Sequence, residues 1–204
     1  MAGTYTTNLQ IINRALQILG SNRIISMDDK TNMAEEMSAA YRITLDNLIR
    51  SYNWNCCIKE GTAPLVEKKT GEVLSYVYAL PADYLKLIRI NDIIPAYSGT
   101  EAHLVHDELY KIRGKLIYTK LSAPLKIEYC YRNEDVSDYD PLFCEALAYR
   151  LAMAVCEKTT QSTSKYEALK AQYKDILADA LRCNALEVPA VPKQDGNWIL
   201  ARGI

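Results

Sequence analysis

The chain has 204 residues, of which 49% are apolar and 24% charged, and its formal net charge is −1. This composition is typical of a globular protein with one large domain or two small ones. The near-neutral charge argues against sequence-independent binding to the phosphate backbone of nucleic acid, which needs a basic field. No apolar run reaches the roughly 18 to 20 residues that span a bilayer, and the first residues do not have the order of a secretory signal. We therefore expect a cytoplasmic protein with no membrane contact.

Helical periodicity predicts a pair of helices at the start of the chain. The first covers residues 8–20, with Gly20 as its C-terminal stop. The second covers residues 32–53, where Asn32 is the expected cap and apolar residues recur every three or four positions. A loop that contains the stretch DDKTN separates the two helices.

The segment NWNCC, residues 53–57, follows the second helix. Trp54 is expected to fill the junction where the helical period ends. Cys56 and Cys57 beside it could be metal ligands, a redox pair or buried packing residues. Adjacent cysteines cannot easily ligate one ion together or close an unstrained disulfide. The interpretation we adopt is that both are small buried residues.

Neither the other cysteines nor the histidines form a recognisable chemical motif. The six cysteines show no C-x-x-C spacing in a chain too long to need disulfides, so reduced thiols are expected. His103 and His106 lie in a region of β period, where residues three apart point to opposite faces, and a ligand pair is disfavoured. No Walker-type loop, G-x-G-x-x-G or G-x-S-x-G elbow is present. The sequence therefore predicts no catalytic residue, no metal site and no cofactor.

A region of period two, typical of β-strands with one exposed face, covers residues 62–132. In its last strand, Leu125 and Ile127 alternate with Lys126 and Glu128. The stretch LYKIRGKLIYTK predicts a hairpin that turns at Arg113-Gly114. Earlier strands are predicted at residues 63–68, 73–79 and 85–91.

A second helical pair is predicted at residues 140–158 and 164–186. Asp140 is the expected cap of the third helix, with Pro141 at its first position, and Ser164 that of the fourth. The short link between these helices makes them antiparallel neighbours.

The order of elements predicts an α+β fold. Its helical part is a four-helix bundle made of two helical pairs, into which an antiparallel β domain is inserted. An extended C-terminal tail follows the bundle. The predicted boundaries are 1–58 and 136–187 for the bundle, 59–135 for the inserted β domain and 188–204 for the tail.

The predicted tail contains two prolines, which favour an extended chain. It nevertheless carries large apolar residues, and apolar anchors on an extended segment usually dock on a surface. A partner or a neighbouring subunit is the expected surface, and the chain's own domain is the alternative. The docking residues are Trp198, Ile199 and Leu200, with Arg202 as a possible charged contact.

Four stretches, in this order, resemble the tail tubular protein A family of short-tailed bacteriophages. They are NRALQILG in the first helix, YRITLDNLIRSYNWNCCIKEG at the helix-to-sheet junction, YALPADYLKLIRI in the β region and DPLFCEALAYRLAMAVCEK in the third helix. The resemblance covers most of the chain. At the junction, the family has an arginine, an aromatic residue, a tryptophan and then small or apolar residues. Arg50, Trp54, Cys56 and Cys57 stand in the corresponding places.

The resemblance implies a head-to-tail adaptor, also called a gatekeeper or connector protein, in the virion tail and, during assembly, in the host cytoplasm. Such proteins form a ring, typically of twelve copies, beneath the portal protein, and the tubular nozzle protein assembles below them. They can be monomeric before assembly. DNA passes through the bore without specific binding.

Two other functions remain open at this point. A glycan-degrading hydrolase of the tail would need a carboxylate pair roughly 5 to 9.5 Å apart in a cleft, and no pair stands out in the sequence. A host or phage helical interaction module is the other alternative. A DNA-binding version of it would need a basic recognition face, which none of the four predicted helices shows.

Overall fold

A computed structural model describes residues 5–91 and 109–188 of the chain. These residues form a mixed α+β fold with four helices and two antiparallel sheets. The helices are α1 (Asn8–Leu19), α2 (Asn32–Ser51), α3 (Pro141–Thr160) and α4 (Thr163–Leu186). The strands are β1 (Ile58–Ala63), β2 (Leu65–Lys68), β3 (Tyr76–Ala79), β4 (Tyr84–Ile90), β5 (Tyr110–Arg113), β6 (Leu116–Thr119) and β7 (Leu125–Tyr131).

The strands divide into a three-stranded sheet of order β1-β7-β4 and a four-stranded sheet of order β2-β3-β6-β5. Buried side chains of both sheets form one apolar cluster, with Tyr78 and Ile117 from the larger sheet and Ile127 and Tyr129 from the smaller. The two sheets therefore pack face to face as a small sandwich, since each buries one face of its pleat.

The three-stranded sheet lies between the larger sheet and the helices. Along β7, Ile127 and Tyr129 face the sandwich core, whereas Cys130 is buried in the helical core. Leu85 and Ile88 of β4 pack against the same helical core. Because successive residues of a strand point to opposite faces, this short sheet contributes to two cores at once.

Helix α3 is the central helix and packs against α1, α2 and α4. Nine of its residues are buried, including Phe143, Leu147 and Leu151. An ion pair links it to α1, with Arg14 Nε 3.0 Å from Glu145 Oε1. By contrast, the buried residues of α4 are only Leu169 and Ala180. Helix α4 is thus held along one narrow stripe.

Two of the predicted helix caps are wrong by one or two positions. Helix α2 is capped by Thr31, whose Oγ1 accepts a hydrogen bond from the Ala34 N–H at 3.2 Å, and not by Asn32. Helix α4 is capped by Ser162, which accepts from Lys165 N–H at 3.3 Å, and not by Ser164. Neighbouring hydroxyl and amide side chains have similar capping ability, so sequence alone does not choose between them.

The predicted hairpin turn is confirmed, and one strand was not predicted. Gly114 lies between β5 and β6 with φ 59°, in the left-handed region that glycine adopts at no steric cost. Strand β1 begins at Ile58, several residues before the predicted start of the first strand. Its sequence, IKEGTA, has no apolar alternation, and its place in the sheet comes from pairing with β7.

Burial of tyrosine hydroxyls should make the fold sensitive to alkali. Burial raises the pKa of Tyr41 and Tyr139 well above 10, and burial with the nearby Asp83 carboxylate raises that of Tyr129 to about 12. Because these folded-state pKa values exceed the unfolded value of about 10, their stabilisation is complete below pH 10 and is lost as the pH rises towards 12. In this pH range we expect the tyrosinate absorbance to increase while the helical circular dichroism signal decreases.

The Tyr139→Phe variant is the matched control for alkaline unfolding. It removes one buried ionisable hydroxyl and its 2.6 Å hydrogen bond to the Asn133 carbonyl. We expect lower stability at pH 7 and a weaker dependence of stability on pH above 10. Complete tyrosine ionisation near pH 10 with the helical signal intact would contradict this prediction.

Candidate functional site

The junction between helices and sheets is the candidate site, because it contains the residues on which the family resemblance rests. A short 3-10 turn, Asn55–Cys57, connects α2 to β1. Trp54, just before the turn, is 1% exposed, and its Nε1 donates a hydrogen bond to the Leu48 carbonyl at 3.0 Å. Its ring packs edge-to-face on Tyr52 and Phe143, with centroids 5.9 and 5.0 Å away. Trp54 therefore joins the end of α2 to the start of α3.

Amide side chains connect the junction to the end of α4. The Asn55 backbone N–H donates to Asn184 Oδ1 at 2.8 Å, and Asn55 Nδ2 donates to the Asn184 carbonyl at 2.8 Å. Asn184 Nδ2 in turn donates to the Asn53 carbonyl at 2.9 Å. This reciprocal arrangement satisfies polar groups that a tight turn would leave without partners.

Two arginines connect α2 to the three-stranded sheet. The Arg50 guanidinium donates to the Leu85 carbonyl of β4. Arg132, which follows β7, makes a two-pronged ion pair with Asp46, with Nε 2.7 Å from Oδ1. Bidentate arginine–carboxylate pairs fix relative orientation as well as distance. Helix α2 and the sheet are therefore held in one geometry.

Asn133 is a polar residue of the junction that the sequence analysis missed. It is 4% exposed, and its Nδ2 donates to the Cys56 carbonyl at 2.9 Å. Its Oδ1 accepts from the Asp135 N–H at 3.0 Å, and its carbonyl accepts from the Tyr139 hydroxyl at 2.6 Å. The run NEDVSDYD, rich in residues that bond to nearby backbone, was the signal that could have identified this turn.

The tertiary structure gathers cysteines that are far apart in sequence. Cys56 and Cys57 have their Sγ atoms 3.7 Å apart, and all six cysteines are free thiols. Cys57, Cys130 and Cys144 are buried in the helical core. Burial raises the pKa of Cys130, and it raises that of Cys144 to about 12. Neutral thiols in apolar surroundings, such as those of Cys130 and Cys144, are poor nucleophiles and poor metal ligands. A hydrogen bond with the Cys57 thiol lowers the pKa of Cys56, which is only partly buried.

We expect the Cys56→Ala/Cys57→Ala variant to fold and to lose about 1 to 3 kcal/mol of unfolding free energy, because small buried groups are removed. Urea denaturation measures this loss, and elemental analysis measures bound metal. The single Cys56→Ala variant is the matched control and should lose less, since Cys56 is less buried than Cys57. Stoichiometric zinc that disappears in the double variant would overturn the packing interpretation.

The face of the three-stranded sheet that points away from the sandwich carries a polar depression of about 370 Å³. Glu60 of β1 lies directly opposite Glu128 of β7, which in turn lies opposite Arg89 of β4. The buried atoms Arg89 Nε and Glu128 Oε2 are 2.9 Å apart but lack the alignment of a hydrogen bond. Like charges directly opposite each other are unfavourable in a sheet, so Arg89 offsets the repulsion between the two glutamates.

Several residues from the sequence analysis lie outside the described residues. They are His103, His106, Trp198, Ile199, Leu200 and Arg202. In residues 5–91 and 109–188, no group of three or more potential metal-binding side chains comes together. No helix in the same ranges is long and apolar enough to cross a membrane.

The structure thus brings Arg50, Trp54, Cys56 and Cys57 together at the junction, with Asn133 added to the set. It also places Glu60 beside Glu128, a pair that the sequence did not mark because β1 was not predicted. Comparison with known proteins gives no match, either to a protein-family model or to a curated protein.

Proposed function

We propose that the chain is a head-to-tail adaptor of a short-tailed bacteriophage. In this proposal it is a structural protein without enzymatic activity. Copies of it form a ring, of twelve subunits, between the portal protein and the tail nozzle protein. The chain is a monomer in the host cytoplasm before the portal templates the ring, and DNA leaves the head through the bore.

The observation that carries the proposal is the construction of the junction. Three of the four quoted motifs that resemble the tail tubular protein A family meet there, because Arg50 contacts β4 and Trp54 contacts α3. Asn55 connects the same junction to α4. A ring subunit between two other rings has to hold its helical and β parts in one orientation. The aromatic packing and the bidentate Arg132–Asp46 pair supply that rigidity.

The proposal includes the finer arrangement of the chain. The helical segments in 1–58 and 136–187 are two pairs that form a four-helix bundle, and the β insert projects from one end. The tail, 188–204, docks on a partner through its apolar residues.

The test is reconstitution with the portal protein of the virus that encodes the chain. We expect negative-stain microscopy and native mass spectrometry to show a ring of twelve copies on the portal, and the chain alone to be monomeric. The nozzle protein should bind only after the ring has formed. Failure to bind either protein, under conditions where both are folded, would overturn the proposal.

One observation favours a second candidate, a glycan-degrading hydrolase. Glu60 and Glu128 lie directly opposite each other on paired strands, where Cβ atoms are about 4.5 to 5.5 Å apart, so their carboxyl groups can adopt the separations of about 5 to 9.5 Å that glycosidases use. The ion pair of Glu128 with Arg89 argues against it, because a general acid has to release its proton to the substrate. Hydrolysis of host surface glycans that is lost in Glu60→Gln would favour this candidate.

A further inference from the structure

A groove runs along the outer side of the helices, between α2 and α4, with α3 as its floor. We call it the α2–α4 groove. Its volume is about 550 Å³, within the range of ligand-binding pockets. Its ten lining residues include Ile43, Ser51, Arg150, Met153, Tyr166 and Tyr173.

The groove exposes apolar surface that the fold does not cover within the described residues. Ile43 is 66% exposed on α2, although it borders three half-buried apolar side chains, those of Met153, Tyr166 and Tyr173. Helix α4 buries only Leu169 and Ala180, so its two tyrosines form an incompletely packed wall. An apolar surface with this shape is typical of a docking site.

A single cation, Arg150, lies at the end of this groove where α2 stops. Arg150 Nη1 is 3.5 Å from Ser51 Oγ, and the guanidinium lies beside the Tyr173 hydroxyl. Among residues 5–91 and 109–188, Arg150 forms no ion pair within 4 Å. A partly buried guanidinium without a carboxylate partner is suited to bind an acidic side chain from another segment.

The tail of this chain has the matching chemistry. Residues 189–204 contain one acidic residue, Asp195, followed three positions later by Trp198, Ile199 and Leu200. Three residues of extended chain span about 10 Å, so the carboxylate and the apolar anchors can contact the same groove. An acidic residue followed by apolar anchors therefore complements a groove that has Arg150 at one end, beside Ser51 and Tyr173, and Ile43 about 12 Å away along α2.

The position where the tail begins favours the groove of another copy. Val188 lies beside Asn55, Ile58 and Glu60, at the sheet end of the helices. Tyr173 is about 22 Å further up α4, because it lies 15 residues earlier in the helix. The seven residues from 189 to 195 span at most about 25 Å, so Asp195 could reach its own groove only if the chain reversed at once.

From these observations we infer that the tail of one copy docks in the α2–α4 groove of a second copy, with Asp195 on Arg150 and Trp198 among the apolar side chains. This inference rests on the proposed ring, for which it names the contact between subunits. Tail-to-groove contacts are heterologous, and heterologous contacts close into rings when the rotation between subunits allows it.

The test uses a fluorescein-labelled peptide of residues 189–204 and the full chain with Trp198→Ala, whose own tail lacks its main anchor. Fluorescence anisotropy should show saturable binding. Arg150→Glu in the protein should weaken binding at least about tenfold, and Asp195→Lys in the peptide should restore it in that variant. Lys174→Glu, exposed on the same helix as Tyr173 and outside the groove, is the matched control and should bind normally.

The full chain with its natural tail distinguishes a tail that docks in its own groove from a tail that docks in the groove of another copy. At concentrations where it sediments as a monomer, it should bind the peptide as well as Trp198→Ala does, because its groove is vacant. If only Trp198→Ala binds, the tail occupies the groove of its own chain and the inference is wrong. The inference is also wrong if the peptide does not bind, or if it binds Arg150→Glu as tightly as it binds the protein with Arg150.

Failure of this inference can be distinguished from failure of the proposed function. If a ring forms on the portal but the peptide does not bind the groove, the tail-to-groove inference is wrong and the adaptor role is supported. If the protein binds the peptide but binds neither the portal nor the nozzle protein, the subunit contact is supported and the adaptor role is wrong.

Discussion

Replacing Trp54 with alanine is expected to lower the free energy of unfolding by about 3 to 5 kcal/mol, the cost of removing a large buried aromatic side chain. Trp54 is 1% exposed, and it contacts Tyr52, Phe143 and, through its Nε1, the Leu48 carbonyl. The resulting cavity would lie where α2, α3 and the three-stranded sheet meet. Equilibrium unfolding in urea, followed by circular dichroism, measures the loss.

Trp54→Phe is the matched control, because it keeps a ring against Phe143 but cannot donate to Leu48. We expect it to cost clearly less than the alanine variant. The alanine variant should also fail to assemble at 37 °C if the junction has to be rigid in the ring. A loss below about 1 kcal/mol in Trp54→Ala would show that the junction is not part of the cooperative core.

Deleting residues 194–204 is expected to weaken association about 30-fold or more while leaving the melting temperature of the monomer nearly unchanged. The deleted segment contains Trp198, Ile199 and Leu200, and a buried tryptophan anchor commonly contributes ~2 kcal/mol or more to an interface. A loss of ~2 kcal/mol corresponds to a factor of about 30 in the dissociation constant. Differential scanning calorimetry measures the melting temperature, and binding to the portal or to a second copy measures the association.

Trp198→Ala and Arg202→Ala, made separately, divide this effect between the apolar anchor and the charged contact. We expect the tryptophan variant to account for most of the loss, since an exposed charged contact contributes less than a buried aromatic anchor. If the truncated chain instead melts several degrees lower and still joins its partners normally, the tail is an intramolecular clasp.

Local periodicity in the sequence determined where the helices lie. The predicted ranges, 8–20, 32–53, 140–158 and 164–186, agree with the four helices to within two residues at each end. Asp140 caps α3 as predicted, with its Oδ1 accepting from the Leu142 N–H at 2.7 Å. These features depend on contacts between residues three or four positions apart, which a sequence displays directly.

Local signals also identified the β5–β6 hairpin, because Gly114 marks its turn, and the alternation in β7. They did not identify β1, whose sequence has no alternating pattern. Strand β1 forms because β7 is available to pair with it over six residue pairs, from Ile58 with Cys130 to Ala63 with Leu125. A strand of this kind is specified by its partner, which lies more than sixty positions away in the chain.

The candidate site and the groove were decided only by the tertiary structure. The sequence marked Trp54 as a junction residue, but it could not show that Asn133 bonds to Cys56 from a distant turn or that Glu128 lies between Glu60 and Arg89. Each of these contacts joins residues from different elements. Their positions depend on strand register and helix packing, which are set by long-range burial and not by the local pattern of residues.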